Sequence, residues 1–378
     1  MRTGVSSFPV RSSSARLFPP TSGSRSTGRP ERAPERTGYG HRVMRRMTTA
    51  AATMAVAAVL LSGCSADGTR GSAGGIEGYV EPGGGAADRV RTAVGRGADV
   101  IGVDGAALAD DGTHLLSTSG DVGELVGVAA DAGARTEVLF SNYTSTLGDF
   151  SPEAATALLS SPTNRERVVG GLVDLAARLG ADGVQIDLES MRSQDQADLV
   201  TFTRALRSAV RERLGDDAEV SIAMMSSTDP AEYRSRGYDL AGLAPHLDRI
   251  VLMTYDQHGP WGGPGTIGSL PWTRKAVRTA VDGGLTADRI DVGIAGYGYA
   301  WGPGANAAPI PAARAAHLAG DRAVWSDRTG EWSATLEDGR QLHWSDDRSY
   351  AARRDLAREL GAHGVAMWSL NLSPLPER

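Results

Sequence analysis

From Ile76 onward, short runs of β-branched and apolar residues alternate with longer stretches in which alanine, leucine and arginine recur at helical spacing. The short runs predict buried strands and the longer stretches predict amphipathic helices, and their alternation is typical of βα units around a parallel sheet. The predicted strands are Ile76–Val80, Val100–Leu108, Thr136–Tyr143, Gly183–Glu189, Val220–Met225, Arg249–Asp256, Asp291–Trp301 and Gly364–Leu370. The predicted helices include Ala87–Gly97, Gly120–Ala132, Thr163–Leu179, Gln194–Leu214, Thr273–Gly283 and Ser349–Leu360.

Eight strand signals interleaved with helices predict an α/β fold of the (β/α)8 TIM-barrel type, and the chain of 378 residues is long enough for one. An open, doubly wound sheet is the alternative, and it would require a glycine-rich phosphate loop after its first strand. The segment Glu81–Gly85 follows that strand but fits neither G-x-G-x-x-G nor a Walker pattern. The barrel is therefore the favoured fold.

The connection between the seventh and eighth predicted strands is unusually long. It carries loops rich in proline, glycine and alanine, and then two further strand-like segments, Ala323–Trp325 and Gln341–Trp344. We predict a small β-rich insertion over about residues 302–348, on the face where the βα loops of a barrel form active sites. Residues 76–378 are then expected to form one barrel domain that includes this insertion.

The N-terminal part of the chain differs in composition from the rest. Residues 1–43 are rich in serine, arginine, proline and glycine and lack apolar periodicity, which predicts a disordered leader. A basic stretch with Met44 and Met47 follows, then an apolar run from about Ala50 to Leu61 and small residues up to Cys64, which is the organisation of a secretory signal peptide. Translation from either methionine would make the leader a mis-called start.

The segment Leu61–Cys64 resembles a bacterial lipobox, in which the cysteine is lipidated and becomes the mature N-terminus. This resemblance implies a lipid anchor on Cys64 and a location on the cell-wall side of the cell membrane. An ordinary signal peptide that happens to contain a cysteine is the alternative, and it would give a secreted protein. Residues 65–75 consist largely of serine, glycine, alanine and aspartate and predict a flexible tether.

Composition and charge exclude several classes of function. An apolar content of 41% and a charged content of 22% are typical of a soluble globular protein. The net charge of -6 gives no reason to expect a nucleic-acid partner. With one cysteine and no H-E-x-x-H or G-x-S-x-G motif, zinc and serine-hydrolase chemistry have no support. We expect no metal and no cofactor, and a monomer.

The segment Asp182–Glu189 is the most informative stretch for chemistry, because it carries polar residues at alternate positions of a predicted strand. Strand side chains alternate between faces. Its apolar residues share the face suited to packing against helices, namely Val184, Ile186 and Leu188. Its polar residues share the face that looks into a barrel, namely Gln185, Asp187 and Glu189. Three polar side chains in the interior of one strand are costly unless they are hydrogen-bonded or functional.

Asp187 and Glu189 stand two residues apart on one face, which places their Cα atoms roughly 7 Å apart. When two carboxyl groups lie this close, the pKa of one rises, and the neutral acid can protonate a leaving group near neutral pH. Glu189 also falls at the C-terminal end of its strand, where barrel active sites lie. The pattern predicts Glu189 as a catalytic acid and leaves open a purely structural acid pair held by arginine or backbone donors.

The same segment resembles the D-G-x-D-x-D-x-E signature of glycoside hydrolase family 18, the chitinase-type enzymes. Asp182, Asp187 and Glu189 match the signature, and Gln185 departs from it at the second aspartate, which in the family supports the pair from below. Two other features agree with the family. Met253-Thr254-Tyr255-Asp256 matches its M-x-Y-D motif on the sixth strand, and Trp368 stands on the eighth strand where the family has a tryptophan floor.

The resemblance is closer still to the bacterial spore-cortex and spore-germination branch of the family, and it covers about residues 76–372. The segments that resemble this branch are Met253–His258, Ser269–Trp272, Tyr297–Trp301 and Trp344–Ser349. The branch implies a substrate in peptidoglycan, and the wider family implies chitin. Both polymers present β-1,4 linkages next to N-acetylglucosamine, so an N-acetylated glycan is the expected partner.

The family's mechanism uses the substrate's own N-acetyl oxygen as nucleophile, which gives an oxazolinium intermediate and retention of configuration. The resemblance implies that Glu189 protonates the glycosidic oxygen and later activates water, while Asp187 orients the acetamido N–H and stabilises the developing positive charge. It implies that Tyr255 hydrogen-bonds the acetamido oxygen, that Asp256 contacts the sugar, and that Trp368 stacks under the ring. Further candidates for the cleft are Met253, Tyr79, Asn142, Tyr143 and Tyr297.

A carbohydrate-binding protein without catalysis is the alternative function, because the same fold also forms chitinase-like lectins. Those proteins commonly lack the glutamate, whereas this chain retains Glu189, Asp187 and Tyr255. The sequence therefore favours an enzyme over a lectin-type surface lipoprotein. It does not decide between peptidoglycan and chitin, or between endo and exo action.

Overall fold

The computed structural model describes residues 75–377. Eight parallel strands close into a barrel in which each strand pairs with the next along the chain and the last returns to the first. The strands are β1 (Gly75–Val80), β2 (Val100–Ala107), β3 (Arg135–Ser141), β4 (Gly183–Asp187), β5 (Glu219–Met225), β6 (Arg249–Met253), β7 (Ile290–Ala295) and β8 (Gly364–Trp368). The predicted (β/α)8 fold class is confirmed. The predicted leader, signal peptide and Cys64 lie outside the described residues, and so does the predicted tether except for Gly75, which is the first residue of β1.

Helices surround the barrel, except for the ninth, which belongs to the insertion between β7 and β8. They are α1 (Ala86–Gly95), α2 (Gly120–Asp131), α3 (Pro152–Ser160), α4 (Pro162–Leu179), α5 (Gln196–Leu214), α6 (Pro230–Ser235), α7 (Leu240–Leu243), α8 (Leu270–Asp282), α9 (Ala312–Ala319) and α10 (Asp347–Glu359). Short 3₁₀ turns cover Ser193–Asp195, Ala244–His246, Ala287–Arg289 and Gly320–Arg322. None of the helices within residues 75–377 is long and apolar enough to span a bilayer.

The boundaries of α4 show how local sequence fixes these elements. The Ser161 hydroxyl accepts a hydrogen bond from the Asn164 backbone N–H at 3.3 Å and caps the first turn. Pro162 begins the helix at a position where an N–H has no intrahelical partner, so the missing donor costs nothing. Gly180 ends the helix with a φ of 72°, a left-handed conformation that suits glycine.

The apolar core lies between the helices and the outer faces of the strands. Val184, Ile186 and Leu188 are fully buried there, as the alternation in this segment predicts. The interior of the barrel is instead rich in buried polar groups, among them Glu77, Glu137, Gln185, Ser221, Arg249 and Asp291. The outer faces of the strands therefore carry the apolar side chains that pack against the helices, and the inner faces carry many of the buried polar and charged side chains.

Several barrel strands end earlier than the sequence predicts. The strand signal extends to Glu189 and to Asp256, but β4 ends at Asp187 and β6 at Met253. The chain turns sharply after each strand, because Ser190 has a φ of 57° and Asp256 a φ of 56°. The first residues beyond the strands therefore lie at the C-terminal mouth of the barrel.

The predicted strand Asp291–Trp301 is wrong as a single element. β7 ends at Ala295, and Tyr297–Trp301 belongs to a second sheet, where it pairs antiparallel with Gln341–Trp344. The physical reason is a change of partner at Gly296, whose N–H donates to the Trp368 carbonyl at 2.7 Å before the chain leaves the barrel. The β-rich insertion after the seventh strand is present, and it begins at residue 297 instead of about 302.

The insertion is a five-stranded antiparallel sheet with α9 packed on it. Its strands are Ile310–Pro311, Tyr297–Trp301, Gln341–Trp344, Glu331–Thr335 and Val324–Ser326, in spatial order. A two-stranded hairpin, Tyr143–Thr144 with Asp149–Phe150, follows β3. Both additions occur in βα loops, so they surround the mouth of the barrel.

Candidate active site

A pocket opens at the C-terminal end of the barrel, where six strands or the residues just beyond them contribute side chains. Its lining residues are Tyr79, Leu139, Gln185, Asp187, Glu189, Ala223, Met253, Tyr255 and Trp368. Asp187, Met253 and Trp368 are the last residues of their strands. The structure thus brings together seven of the residues proposed from the sequence, and Leu139 and Ala223 add apolar wall.

Asp187 and Glu189 carry the acidic groups of the pocket. Their side chains belong to residues that are only 3% and 4% exposed, and both reach the pocket although Glu189 lies beyond the end of β4. The in–out alternation of the strand therefore continues through the first turn after it. Two carboxyl groups held in a nearly closed site can divide into an acid and a charge-stabilising group.

Asp182 does not reach this pocket. It lies at the opposite end of β4, where its carboxylate accepts hydrogen bonds from the Thr136 N–H at 2.8 Å and the Thr136 hydroxyl at 3.3 Å. These bonds join the beginnings of β3 and β4. The first aspartate of the motif is thus placed to fix strand register.

Asn142 is fully buried and holds the backbone of Glu189 instead of lining the pocket. Its Oδ1 accepts from the Glu189 N–H at 2.9 Å, and its Nδ2 donates to the Glu189 carbonyl at 2.9 Å and to the Ser151 carbonyl at 2.9 Å. A second contact comes from Tyr238, whose hydroxyl donates to the Leu188 carbonyl at 3.2 Å. Two side chains from neighbouring segments, Asn142 and Tyr238, therefore hold the backbone at the carboxyl pair.

Asp256 stands beside the pocket and is bonded to the insertion sheet. Its carboxylate accepts from the Tyr297 hydroxyl at 2.8 Å and the Tyr299 hydroxyl at 3.2 Å. Loss of hydration raises the pKa of Asp256 to about 7, against the opposing effect of the two hydroxyl donors. Tyr297 is accordingly placed as a partner of Asp256, outside the pocket lining, and Tyr143 likewise lies in the β3 hairpin outside it.

Three aromatic side chains line the pocket, Tyr79, Tyr255 and Trp368. The Trp368 and Tyr79 ring centroids are 5.4 Å apart, and both rings line the pocket. Tyr255 meets Tyr297 edge-on at 6.4 Å. Flat apolar surfaces of this kind bind the C–H faces of a sugar ring, because they remove apolar area from water without leaving polar groups unsatisfied.

Below the pocket lies a buried cluster of charges that the sequence reading missed. Arg249 contacts Glu77 at 2.9 Å, Glu137 at 2.9 Å and Asp291 at 2.8 Å, all of them buried, and the half-buried Glu219 at 3.2 Å. These residues come from β1, β3, β5, β6 and β7, so the contacts cross the barrel interior. The signal was present in the sequence, since Glu77, Glu137 and Arg249 each stand two residues before an inward-facing strand residue.

Gln185 connects this cluster to the pocket. Its Nε2, with two N–H donors, lies within hydrogen-bond distance of three acceptors, Glu77 at 3.3 Å, Glu137 at 3.1 Å and Ser221 at 2.9 Å, and its Oε1 accepts from the Tyr79 hydroxyl at 2.7 Å. The pKa of Glu77 is raised to about 7, mainly by burial. The nearby charge of Arg249 lowers this pKa, and the charges of Glu137 and Asp291 raise it further. No group of three or more His, Cys, Asp or Glu side chains within residues 75–377 is arranged to hold a metal ion.

A closed (β/α)8 barrel with a carboxyl pair at the end of β4 and an aromatic floor on β8 has the architecture of the barrel glycoside hydrolases. Residues 135–372 match the family described as Glycosyl hydrolases family 18, and the chain belongs to that family. The resemblance drawn from the D-G-x-x-x-D-x-E segment is thereby confirmed at the level of the family.

Two curated relatives and one solved structure illustrate the range of similar proteins. The chain is 30% identical to the uncharacterized glycosylase YvbX of Bacillus subtilis over 44% of its own length and 48% of the relative's. It is 27% identical to a cortical fragment-lytic enzyme of the same organism, over 59% and 54%. It thus spans about half the length of these relatives. A family 18 chitinase from Cycas revoluta, solved with (GlcNAc)3, has a TM-score of 0.68 at 18% identity, with 79% and 95% coverage, and shows the shared fold.

Proposed function

We propose that this protein is a glycoside hydrolase that cleaves β-1,4 linkages next to N-acetylglucosamine, in peptidoglycan or a chitin-like glycan, with retention of configuration. The observation that carries the proposal is that Asp187, Glu189, Tyr255 and Trp368 line one pocket. Family membership supports hydrolysis of N-acetylated glycans. The names of the relatives and of the (GlcNAc)3 complex support the two candidate polymers.

In the proposed reaction the sugar stacks on Trp368, and Glu189 donates its proton to the glycosidic oxygen as the bond to the anomeric carbon breaks. The acetamido oxygen of the same sugar attacks the anomeric carbon and forms an oxazolinium ring. The Asp187 carboxylate accepts a hydrogen bond from the acetamido N–H and stabilises the positive charge of the oxazolinium ring. The Tyr255 hydroxyl donates a hydrogen bond to the acetamido oxygen. Glu189, now ionised, then takes a proton from a water molecule whose oxygen bonds to the anomeric carbon; the bond from that carbon to the acetamido oxygen breaks, the ring opens and the acid is restored.

Purified protein incubated separately with GlcNAc oligomers and with peptidoglycan glycan strands tests this function, with products identified by mass. We expect new reducing ends on N-acetylated substrates, and the mass of each product identifies the bond that was cut. Binding of the oligomers without any cleavage would contradict the proposal and support a lectin. Cleavage that proceeds equally well on fully de-N-acetylated oligomers would contradict the substrate-assisted mechanism, because the nucleophile would then be missing.

The Asn142 clamp yields a prediction about positioning. Asn142→Ala removes the donors and the acceptor that hold the Glu189 backbone, so we expect kcat to fall by roughly 10- to 100-fold with a smaller change in KM. Asn371→Ala is the matched control, because Asn371 holds the Glu81 backbone by the same two-way contact, at 3.0 and 3.2 Å, outside the pocket lining. Equal losses of kcat in both variants would show that Asn142 has no specific role.

We also propose that Cys64 carries a lipid that anchors the protein on the cell-wall side of the membrane, supported by the lipobox-like Leu61–Cys64 segment. Cys64→Ser is expected to move the protein from the membrane fraction to the soluble fraction in the native host, since the thiol is the site of lipid attachment. Immunoblotting of the two fractions measures this shift. Ser65→Ala serves as the neighbouring control, and unchanged fractionation of Cys64→Ser would remove the proposed anchor.

A further inference from the structure

Gln185 is the point at which this chain departs from the family signature, which has an aspartate at that position. The departure is surrounded by unusual chemistry. The Gln185 side chain is fully buried, and two buried carboxylates, Glu77 and Glu137, lie within hydrogen-bond distance of its Nε2. The third neighbour, Ser221, donates its own proton to Glu137 at 2.6 Å and accepts from Gln185. The Gln185 Nε2 therefore faces a hydrogen-bond acceptor at each of these three neighbours.

The charge balance explains why an amide suits this place. The buried carboxylates are Glu77, Glu137 and Asp291, and Arg249 is the buried cation that contacts all three. At the rim of the cluster, Glu219 adds negative charge and His363 contacts Asp291 at 2.7 Å. An acid at 185 would add a carboxylate to this cluster, and glutamate would place it where the Gln185 Nε2 lies, 3.3 Å from Glu77 and 3.1 Å from Glu137, where like charges in a dry site cannot all ionise.

The other side of the amide contacts the pocket. Gln185 Oε1 accepts from the Tyr79 hydroxyl at 2.7 Å, and the Tyr79 ring lies against Trp368 with centroids 5.4 Å apart. Because the Nε2 contacts fix which end of the amide is oxygen, they also fix the direction in which the Tyr79 hydroxyl points. The orientation of the aromatic floor is thus tied to the charge cluster through a single side chain.

We propose that Gln185, Glu77 and Glu137 form a positioning unit in which the two glutamates supply the negative charge that the family's aspartate would carry, and the neutral amide transmits their geometry to Tyr79 and the sugar-binding floor. The unit rests on the proposed hydrolase function, and Gln185 acts through Tyr79 without touching the scissile bond. It implies that restoring the family residue by Gln185→Asp lowers activity.

Gln185→Glu is the sharpest test, because it keeps the shape of the side chain and exchanges the donor for an acceptor. We expect kcat to fall on the order of 100-fold with less change in KM, because a shift of the Tyr79 and Trp368 rings would still let the sugar bind but would misplace it relative to Glu189. Relative to the wild type, the loss should be smaller at pH 5 than at pH 8, because a protonated carboxyl at 185 can again donate to its neighbours. The groups that act on it are Glu77, Glu137, Glu219, Arg249, Asp291, His363 and Tyr79.

The double variant Gln185→Glu/Glu137→Gln exchanges amide and carboxylate between neighbouring positions and restores the total charge. We expect it to recover most of the kcat lost by Gln185→Glu and to return the pH profile toward the wild type. Glu359→Gln is the control, since it removes one carboxylate from an ion pair with Arg274 on the outer helices, away from the pocket lining. It should leave both kcat and the pH profile at the wild-type level.

Two results would overturn the unit: Gln185→Glu with unchanged kcat, or a double variant no better than the sum of its single changes. The wild type, the single variants Gln185→Glu and Glu137→Gln, and the double variant are also compared by their affinity for a GlcNAc oligomer and by their melting temperatures. These two measurements do not require hydrolysis. If the wild type does not hydrolyse the glycan, the proposed function fails, but coupling between positions 185 and 137 can still be measured. If neither the affinity nor the melting temperature shows coupling, the positioning unit is contradicted whether or not the protein is a hydrolase.

Discussion

Glu189→Gln is expected to reduce hydrolysis of N-acetylated glycans by roughly 10²- to 10⁴-fold, which is the range that a positioned acid contributes to a rate. Glutamine keeps the volume and hydrogen-bonding shape of the side chain but has no proton to give to the glycosidic oxygen. The pocket lining, with Trp368 and Tyr255, is otherwise unchanged, so affinity for the oligomer should remain within a few-fold. Release of reducing ends and calorimetric binding on the same preparation measure the two quantities separately.

Glu166→Gln is the control for this experiment, because it makes the same chemical change at an exposed position on α4. It should leave both rate and affinity at the wild-type level. If Glu189→Gln kept full activity, Glu189 could not be the acid. If it lost binding as strongly as it lost rate, the residue would be needed to shape the pocket, and the assignment of a proton-transfer role would lose its support.

The acidic pair was predictable because it depends on a short-range rule. Strand side chains alternate, and the helix-facing positions of the segment are all apolar, so the polar positions had to face inward. The structure places Asp187 and Glu189 together in the pocket for this reason. Trp368 and Tyr255 could be added only through the family resemblance, since nothing in a single strand says which other strand ends will meet it.

What the sequence could not give depends on contacts between distant parts of the chain. Asn142 reads as a strand-end residue facing the cleft, yet it holds the backbone of Glu189, 47 positions away. The break at Gly296 was hidden because large apolar residues stand at alternate positions on both sides of it, Ile290, Val292 and Ile294 before it and Tyr297, Tyr299 and Trp301 after it. Only the pairing with Gln341–Trp344 shows that Tyr297–Trp301 has left the barrel.

The insertion sheet also has a structural role that could not be predicted from its sequence. Glu331 accepts from the Ile267 and Gly268 N–H groups at 2.8 and 2.7 Å, and Arg353 of α10 pairs with Glu331 at 2.5 Å. This buried node fixes the loop that begins with Tyr255 and Asp256. The hydroxyls of Tyr297 and Tyr299 hold the other end of that loop through Asp256. The insertion therefore supports one wall of the site.

The largest expected loss of stability comes from Arg249→Met. Arg249 is the buried cation that contacts Glu77, Glu137 and Asp291, so its removal leaves carboxylates without compensation in the barrel interior. We expect the free energy of unfolding to fall by about 3–5 kcal/mol, as found when one partner of a buried ion pair is deleted. Urea denaturation followed by circular dichroism measures the loss, and Arg213→Met on the exposed face of α5 is the control.

The stability lost in Arg249→Met should depend on pH in a direction that follows from the buried carboxyl groups. Without Arg249 the buried carboxyls bind protons more tightly in the folded than in the unfolded state, so stability is retained below the unfolded pKa near 4.5 and lost as the pH rises. The wild type already shows this direction in Glu77, whose pKa is raised to about 7. The deficit of Arg249→Met should therefore be smaller at pH 5 than at pH 8. A deficit that stayed below about 1 kcal/mol at both pH values, or one that grew on acidification, would show that Arg249 is not what makes a negatively charged barrel interior tolerable.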